Sequence, residues 1–152
     1  MKRFALSKLC DNVVGAKGNE LRVVLSTCKG GMALKQVIFI EVGMGIDLHG
    51  QDVTRACVRA ARQAIGHNSM PGLRRVLPNE SFDEMKVNVI LGVPFRQDEV
   101  DLDAVRGVFP YGEVSVQVKP GGLLASSGVV LEDKGDLTDE MVIVNAVVEV
   151  GY

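Results

Sequence analysis

Apolar and polar residues alternate along four stretches of the chain, and this alternation predicts β-strands. The stretches are QVIFIEV from Gln36, MKVNVILGV from Met85, EVSVQVK from Glu113 and EMVIVNAVVEV from Glu140. A period of two places successive side chains on opposite faces of a sheet. Glycine and proline interrupt such patterns, so we expect the first strand to end at Val42, before Gly43 and Gly45.

Two segments between these strands have helical character. Residues 51–65 repeat small or apolar side chains at helical spacing, and Gly66 stands where a left-handed residue would end the helix. Residues 98–109 are acid-rich in their first turn, which is typical of a short helix. With one uncertain ribbon around Ser126, the order is β-α-β-α-β-β. The sequence therefore predicts a single α+β domain with its helices on one face of a mixed sheet.

Each predicted strand has one apolar face that two helices can cover. These faces comprise Ile38, Ile40 and Val42; Val87, Val89 and Leu91; Val114, Val116 and Val118; Val142, Val144, Ala146 and Val148. The opposite faces mix apolar residues with polar ones such as Glu41, Asn88, Gln117 and Asn145. Such a surface fits a subunit interface around a water-containing centre. An open sheet with scattered surface apolar residues is the alternative.

Composition narrows the class of protein. The chain has 152 residues, 47% apolar and 24% charged, with a formal net charge of −2. This charge gives no reason to expect a nucleic-acid partner, and no apolar run approaches the roughly 18 residues of a membrane helix. Cys10, Cys28 and Cys57 form an odd, unpatterned set, which is typical of reduced thiols inside the cell.

The first 31 residues differ in charge from the remainder. They carry a net charge of +4, whereas residues 32–152 carry −6. A basic, acid-poor extension is typical of organelle targeting peptides, but it is also compatible with an added strand or a mistaken start codon. We therefore predict an extension at 1–31 and a domain at 32–152, located in the cytoplasm or, if the extension targets it, in an organelle.

The segment GMGIDLHG, residues 43–50, contains the residues best suited to a ligand site. It begins like a dinucleotide fingerprint, but Leu48 occupies the position of the third glycine, so a Rossmann site is not expected. Glycines allow a ligand to approach backbone N–H groups before a helix N-terminus. Gly43, Gly45 and Gly50 are therefore predicted to bind a small molecule.

Asp47 and His49 are two residues apart, so both side chains can point the same way in an extended segment. A carboxylate that fixes the tautomer of an imidazole supports a general base. Alternatively, Asp47 caps the turn and His49 bonds to backbone. Arg55, in the first turn of the following helix, is the arginine best placed to meet a carboxylate.

Other candidate chemistry is weaker. Asp47 and His49, with Glu41 or His67, lack a recognised metal-ligand spacing, and we predict no metal or cofactor. Ser126 and Ser127 precede Gly128, but Leu124 excludes the Gly-x-Ser-x-Gly nucleophile elbow. Adjacent serines before a glycine are also common turn residues.

Residues 43–50 match the GxGxDxHG pattern of the uncharacterised Lin-zero-five-one-two family, and the resemblance runs from about Met32 to Tyr152. The chain is identified as a member of this family by PYGEVSVQV, GGLLASSG and VIVNAVVEVG as well. The family has no established function, so membership implies no particular reaction.

A more distant resemblance concerns the ring-opening amidohydrolases, the cyanuric acid hydrolase and barbiturase group. Their Ser-Ser-Gly segment is similar to ASSGVVLED, and their Gly-Lys-Thr-Glu-Gly…Asp-Phe-Thr-Arg segment resembles VGMGIDLHGQDVTRA. The likeness implies that Ser126 or Ser127 occupies the serine position and Arg55 the arginine position. The lysine position falls on Met44, which cannot activate a nucleophile, so Lys119 or His49 would have to replace it.

Single-unit relatives resemble Bacillus chorismate mutase and the Rid deaminases, which are trimers with sites between subunits. The resemblance implies a Bacillus chorismate mutase-like homotrimer around the helix-free face, with a small-molecule site at each junction. We expect catalytic roles for His49, Asp47 and one serine, and ligand contacts from Arg55, Glu41 and Lys119. The reaction would be hydrolysis or deamination of a small amide, imine or carboxylate-bearing metabolite. A non-catalytic ligand-binding or assembly module is the alternative.

Overall fold

The computed structural model describes residues 31–152, which form a five-stranded mixed sheet with helices against one face. The strands are β1 Val37–Asp47, β2 Lys86–Val93, β3 Glu113–Pro120, β4 Leu123–Ser126 and β5 Glu140–Gly151. The helices are α1 Val53–Gly66, α2 Leu73–Val76 and α3 Leu102–Arg106. Single 3₁₀ turns cover Pro78–Glu80, Phe82–Glu84, Gln97–Glu99 and Glu132–Lys134. The predicted α+β class is confirmed, and the predicted strands and two helices follow one another in the expected order. The short helix α2 was not predicted, and the uncertain ribbon is β4.

Strand β5 is the centre of the sheet. It pairs antiparallel with β1 along one edge, and with β2 and then β4 along the other. β3 lies outside β2 and is parallel to it. The long alternating sequence of β5 is buried at every second position from Val142 to Val150, as expected for a strand covered on one face.

The prediction of which face of β1 lies under the helices is wrong. In the register with β5, Glu41, Gly43, Gly45 and Asp47 lie opposite Val148, Ala146, Val144 and Val142, so these four share the helix-covered face. Ile40 and Val42, predicted to lie under helices, are instead 58% and 70% exposed. The prediction also ended the strand at Val42, whereas β1 continues through both glycines to Asp47.

Close packing of α1 on β1 explains this reversal. A Cβ atom at Gly45 would lie 2.0 Å from the carbonyl oxygen of Ala56, and one at Gly43 would lie 2.2 Å from that of Ala60. The helix contributes small buried residues to this contact: Ala56, Cys57, Ala60, Ala61 and Ala64. Glycine on the strand and alanine on the helix therefore bring two backbones together, which side chains would prevent.

Helix α1 also covers part of the free edge of β1. The side-chain oxygen of Gln63 accepts a hydrogen bond from the Met44 N–H, and Arg59 donates one to the Ile46 carbonyl. Among residues 31–152 these groups have no strand partner, because β1 is the outer strand of the described sheet. Side-chain capping of this kind protects an edge from pairing with another chain.

Residues of α1 follow the prediction with one difference. Asp52 is the N-cap and accepts a hydrogen bond from the Arg55 N–H at 2.8 Å. The helix ends at Gly66, but Gly66 is helical rather than left-handed, and His67 is the right-handed C-cap. The predicted left-handed conformation of Gly66 is therefore wrong.

The helix-free face of the sheet carries exposed apolar side chains near β1 and β4. They are Ile40, Val42, Met44 and Leu123. Nearer β2 the same face is polar, and the Asn88 side chain exchanges two hydrogen bonds with the backbone of Met32, at 3.1 and 2.8 Å. The start of the described chain thus covers the polar part and leaves the apolar part open.

Candidate functional site

The bend between β1 and α1 brings a set of charged side chains together. Gly50 has a φ of 94° and Gln51 a φ of 48°, both in the left-handed region. Two consecutive left-handed residues turn the chain sharply between Asp47, the last residue of β1, and Asp52, the N-cap of α1. The bend places His49 and the first two turns of α1 on the same side of the domain.

Asp47 is the buried anion of this region, with a side chain only 2% exposed. Its Oδ1 atom accepts from Arg59 at 3.0 Å and from Arg55 at 3.4 Å, and its Oδ2 atom accepts from the Asp52 N–H at 2.9 Å. Both arginine side chains are about half exposed, at 49% for Arg59 and 53% for Arg55. Asp47 therefore anchors two arginines whose remaining N–H groups can reach solvent or a ligand.

His49 is held by Asp136, a residue that the sequence interpretation did not select. The His49 Nδ1 atom lies 2.8 Å from Asp136 Oδ2. The same carboxylate accepts from the Gly50 N–H at 2.7 Å and the Leu131 N–H at 2.7 Å. A carboxylate with two backbone donors acts as an acceptor, so Nδ1 of His49 is the donor and Nε2 of the neutral ring keeps its lone pair.

The hydrogen bonds at Asp136 keep it ionised. The Leu131 N–H has the largest effect in lowering the pKa of this carboxyl, burial opposes it, and the Gly50 N–H and His49 imidazole lower it further. The predicted pairing of Asp47 with His49 is thus replaced: the structure gives His49 a different carboxylate, and Asp47 belongs to the arginines.

Gln51 fixes the loop that carries Asp136. Its buried amide donates to the Glu140 carbonyl at 2.9 Å and the Thr138 carbonyl at 3.3 Å, and it accepts from the Leu137 N–H at 2.9 Å. Asp136 bonds to Gly50 next to it. The bend and the loop before β5 therefore form one hydrogen-bonded unit, which orients the imidazole of His49.

A cleft of about 420 Å³ opens beside this unit. It is lined by Ile46, Asp47, Leu48, His49, Arg55 and Arg59. An imidazole with a fixed tautomer and two half-exposed guanidinium groups therefore line one concave surface. Such a set can bind an anionic group and exchange a proton with it.

The three glycines that were predicted to contact a ligand serve other purposes in this chain. Gly43 and Gly45 lie against α1, so the lack of a side chain there accommodates the helix. Gly50 supplies the left-handed turn and the N–H that binds Asp136. The reason for which they were selected, a ligand approaching the backbone, does not apply to Gly43 and Gly45 on the helix-covered face.

The two serines lie apart from the cleft in their own chain. The Ser126 hydroxyl donates to Asp139 at 2.5 Å and accepts from the Gly128 N–H at 3.1 Å. The Ser127 hydroxyl donates to the Val129 carbonyl at 2.8 Å. These are the hydrogen bonds of turn residues. Lys119, on β3, is also absent from the cleft lining.

Glu41 lies in a different cavity, at the other end of α1. Among residues 31–152, no group of three His, Cys, Asp or Glu side chains is arranged to hold a metal ion. Cys57 lies on the buried face of α1, and burial, followed by the charge of Asp52, raises the pKa of its thiol to about 12. A thiol of this kind is unreactive at neutral pH.

No helix in the described part of the chain is long and apolar enough to cross a membrane. The predictions about residues 1–30, including the targeting segment, the added strand and the other two cysteines, lie outside the described residues. The proposed boundary near residue 31 remains a prediction.

Two functional residues were missed by sequence reasoning, for different reasons. Asp136 lies 87 residues from His49 in a polar loop rich in acidic residues, where no pattern distinguishes it. Arg59 was not selected, whereas Arg55 on the same helix was. Its position one helical turn after Arg55 was a usable signal, since residues four apart lie on the same helix face.

Comparisons with known proteins agree with the motif. No curated protein matches the chain. A similar solved structure is that of an FtsZ-like protein of unknown function from Nostoc punctiforme PCC 73102, with 37% sequence identity and a TM-score of 0.68. The match covers 76% of this chain and 93% of that chain. The profile of a family described as conserved hypothetical protein (Lin0512_fam) matches residues 37–150. The prediction from the motif at 43–50 is therefore confirmed, and the chain belongs to the Lin0512 family.

Proposed function

We propose that this protein is a small-molecule enzyme that performs acid–base chemistry on a carboxylate-bearing metabolite with an amide or imine bond. The observation that carries the proposal is the cleft in which the Asp136-oriented His49 faces the same space as Arg55 and Arg59. General bases in enzymes are commonly imidazoles whose second nitrogen is held by a carboxylate.

His49 is the proton-transfer group in this proposal. Its Nδ1–H is committed to Asp136, so the neutral ring can accept a proton only at Nε2. Asp136 then stabilises the imidazolium that forms, because its own carboxylate stays ionised. The proton comes from an attacking water, whose oxygen forms a bond to the amide or imine carbon. The same ring returns this proton to the nitrogen as the C–N bond breaks, which completes the hydrolysis.

Arg55 and Arg59 are the anion clamp. Asp47 pairs with both guanidinium groups, and Asp52 Oδ2 lies 3.6 Å from Arg55, so the two arginine charges are balanced and a ligand anion would compete for N–H groups rather than meet an excess charge. A substrate carboxylate would bind the N–H groups that Asp47 leaves unused, close to the N-terminal end of α1, where negative charge is favoured. This supports a substrate with a carboxylate at one end and the reacting bond near His49.

The proposed assembly is a homotrimer of the Bacillus chorismate mutase type, around the exposed apolar part of the helix-free face. Ile40 and Val42 are the most exposed members of that patch, and a clustered apolar surface favours burial against another subunit. Ser126, Ser127 and Lys119 lie outside the cleft of their own chain. In the trimer they would act on substrate only in a neighbouring subunit's cleft.

Turnover of a panel of small carboxylates, each with an amide or an imine, tests the catalytic proposal by mass spectrometry. His49→Ala should abolish turnover of any substrate found, and Asp136→Asn should reduce kcat at least tenfold because the tautomer is no longer fixed. Lys134→Gln, an exposed change in the same loop, is the control. Unchanged turnover in His49→Ala would contradict the assignment of His49 as the base.

Native mass spectrometry of the full chain tests the assembly separately. A trimer that Val42→Asp converts to monomers would support the interface, and a monomeric wild type would remove it. The second candidate function is a non-catalytic ligand-binding or assembly module. It is favoured by Met44, which occupies the lysine position of the resembling amidohydrolases. Binding of the carboxylates without turnover, lost in Arg55→Ala, is the outcome that this alternative predicts.

A further inference from the structure

A second cavity, of about 320 Å³, lies at the C-terminal end of α1. It is lined by side chains of β1, β2 and β5, by the end of α1, and by the segments 68–85, which includes α2, and 109–111. The volume is at the lower end of the range found for small-molecule sites. This cavity shares no lining residue with the cleft at His49.

Glu41 is the acidic group of this cavity. It lies on the helix-covered face of β1, two positions before Gly43, just beyond the last turn of α1. The residue is only 9% exposed, and its Oε1 atom accepts from the Asn68 side-chain amide at 2.7 Å. Within residues 31–152, Asn68 is its hydrogen-bond partner, and the lining contains no lysine, arginine or histidine.

A buried carboxylate with one amide partner is an unusual occupant of an apolar cavity. Burial of a carboxylate costs free energy unless a cation or several donors compensate it. Asp47, on the same strand face, is compensated by two arginines and a backbone N–H. Among residues 31–152 Glu41 has neither, so a positively charged group is the partner that would compensate its burial.

The remaining lining is mostly apolar and includes four aromatic side chains. Phe82 and Tyr111 are stacked, with ring centroids 4.9 Å apart and 19° between the ring planes. Phe39 and Phe109 line the same cavity. Aromatic faces attract cations and apolar ligand bodies alike. The C-terminal end of α1 also favours positive charge nearby.

We propose that this cavity is a second binding site, for a small organic ammonium with an aromatic or aliphatic body. The ammonium donates to the Glu41 carboxylate, and the body packs among the aromatic rings. The site is independent of the proposed chemistry at His49, because it lies at the opposite end of a 14-residue helix, about 20 Å away at 1.5 Å per residue.

Calorimetric titration of the full chain at neutral pH tests this with three probes of similar size. They are 2-phenylethylamine, the neutral 2-phenylethanol and the anionic 3-phenylpropionate. We expect the amine to bind at least tenfold more tightly than the alcohol, since a hydrogen bond to a charged group is among the stronger ones, and the acid to bind more weakly than either. Equal binding of all three, or binding of none, overturns the proposal.

Glu41→Gln is the decisive variant because it keeps the shape and the Asn68 contact. It should remove the tenfold preference for the amine and leave the affinity for the alcohol unchanged. Glu149→Gln, on the other face of the sheet, is the matched control and should retain the preference. Tyr111→Leu should weaken amine binding by about threefold through loss of an aromatic face. Retained amine preference in Glu41→Gln overturns the assignment of the carboxylate.

Changes at the other site distinguish the two proposals. His49→Ala and Arg55→Ala should leave 2-phenylethylamine affinity within twofold of the wild type. Loss of amine binding in either variant would mean that the amine binds in the first cleft, and the second site would be rejected.

Discussion

The two ends of helix α1 face two buried carboxylates from one strand, and these differ in every partner. Asp47 lies near the N-terminal end, where Arg55, Arg59 and the Asp52 N–H surround it. Glu41 lies past the C-terminal end, with the Asn68 amide and aromatic rings. Two carboxylates on the same face of one strand therefore have different roles. Asp47 is compensated by arginines of its own chain and positions them in a cleft, whereas Glu41 can still bind a cationic ligand.

The glycines between these carboxylates set their geometry. Each two-residue step along β1 corresponds to one turn of α1, because Gly45 contacts Ala56 and Ala60 while Gly43 contacts Ala60 and Ala64. Asp47 therefore meets the first turns of the helix, and Glu41 falls beyond its last one. Two sites at opposite ends of α1 follow from one close contact between helix and strand.

Gly45→Ala should have the largest effect, because it separates helix and strand at their closest point. The new Cβ atom would lie 2.0 Å from the Ala56 carbonyl oxygen and 2.3 Å from the Ala60 nitrogen, both backbone atoms. We expect a loss of about 3 kcal/mol or more in the free energy of unfolding, measured in urea, since overpacking against backbone cannot relax cheaply.

Gly72→Ala is the control for that substitution, because no atom lies within 4 Å of the added carbon and its φ is −87°. It should change the free energy of unfolding by less than about 1 kcal/mol. A stability of Gly45→Ala equal to that of Gly72→Ala would contradict the close packing that defines both sites.

Neutralising each carboxylate compares the two ends directly. Asp47→Asn should cost about 2 kcal/mol, because it weakens charge-assisted hydrogen bonds to two arginines; their half exposure limits the loss. Glu41→Gln should change the free energy of unfolding by less than about 0.5 kcal/mol in either direction, because glutamine can keep the Asn68 hydrogen bond and no cationic partner among residues 31–152 is lost. Equal losses in chemical denaturation would show that the two carboxylates are compensated alike.

Asp136, beside the cleft at the N-terminal end of α1, should make the stability of the protein depend on pH. Its pKa is lower in the folded protein than the ordinary value of about 3.9, so its ionised form stabilises the fold above about pH 4. That contribution is lost as the pH falls through the folded-state value. We expect Asp136→Asn to be less stable than the wild type at pH 6, with a difference that narrows towards pH 3.

Urea midpoints between pH 6 and pH 3 measure this effect. Asp133→Asn is the matched control from the same loop, since that side chain is largely exposed, and its midpoints should follow the wild type throughout. A constant difference between Asp136→Asn and the wild type at all pH values would mean that Asp136 does not titrate differently on unfolding.

Much of the fold could be predicted because alternation is a strong signal in β2, β3 and β5. It failed in β1, where Ile38, Ile40 and Val42 are apolar and the residues that face the helix are Glu41 and two glycines. Hydrophobicity cannot identify a face that is buried by backbone contact. A short apolar strand with glycines at alternate positions and an alanine-rich helix after it is the signal for such packing.

The site could be predicted only in part, because half of it comes from distant sequence. The bend, His49 and Arg55 were selected from local pattern, and they do line one cleft. The carboxylate that orients His49 comes from a loop 87 residues away, and the nearer Asp47 was chosen for its spacing. Spacing predicts direction within one strand, but Asp47 ends β1 and points under α1, whereas His49 follows it in the bend.

Gly66→Ala should have a small effect, and it tests how the C-terminal end of α1 is built. A left-handed glycine at this position, as the sequence pattern suggested, would make alanine unfavourable by about 1 kcal/mol or more. In the structure Gly66 is the last helical residue, His67 continues in right-handed conformation, and no atom lies within 4 Å of an added Cβ. Alanine should then raise the free energy of unfolding by about 0.5 kcal/mol, since glycine loses more backbone entropy on folding. A higher urea midpoint, with an unchanged slope of free energy against urea concentration, would support the helical conformation. A lower midpoint would indicate that Gly66 is left-handed. Asn68, the only described partner of Glu41, would then lie elsewhere.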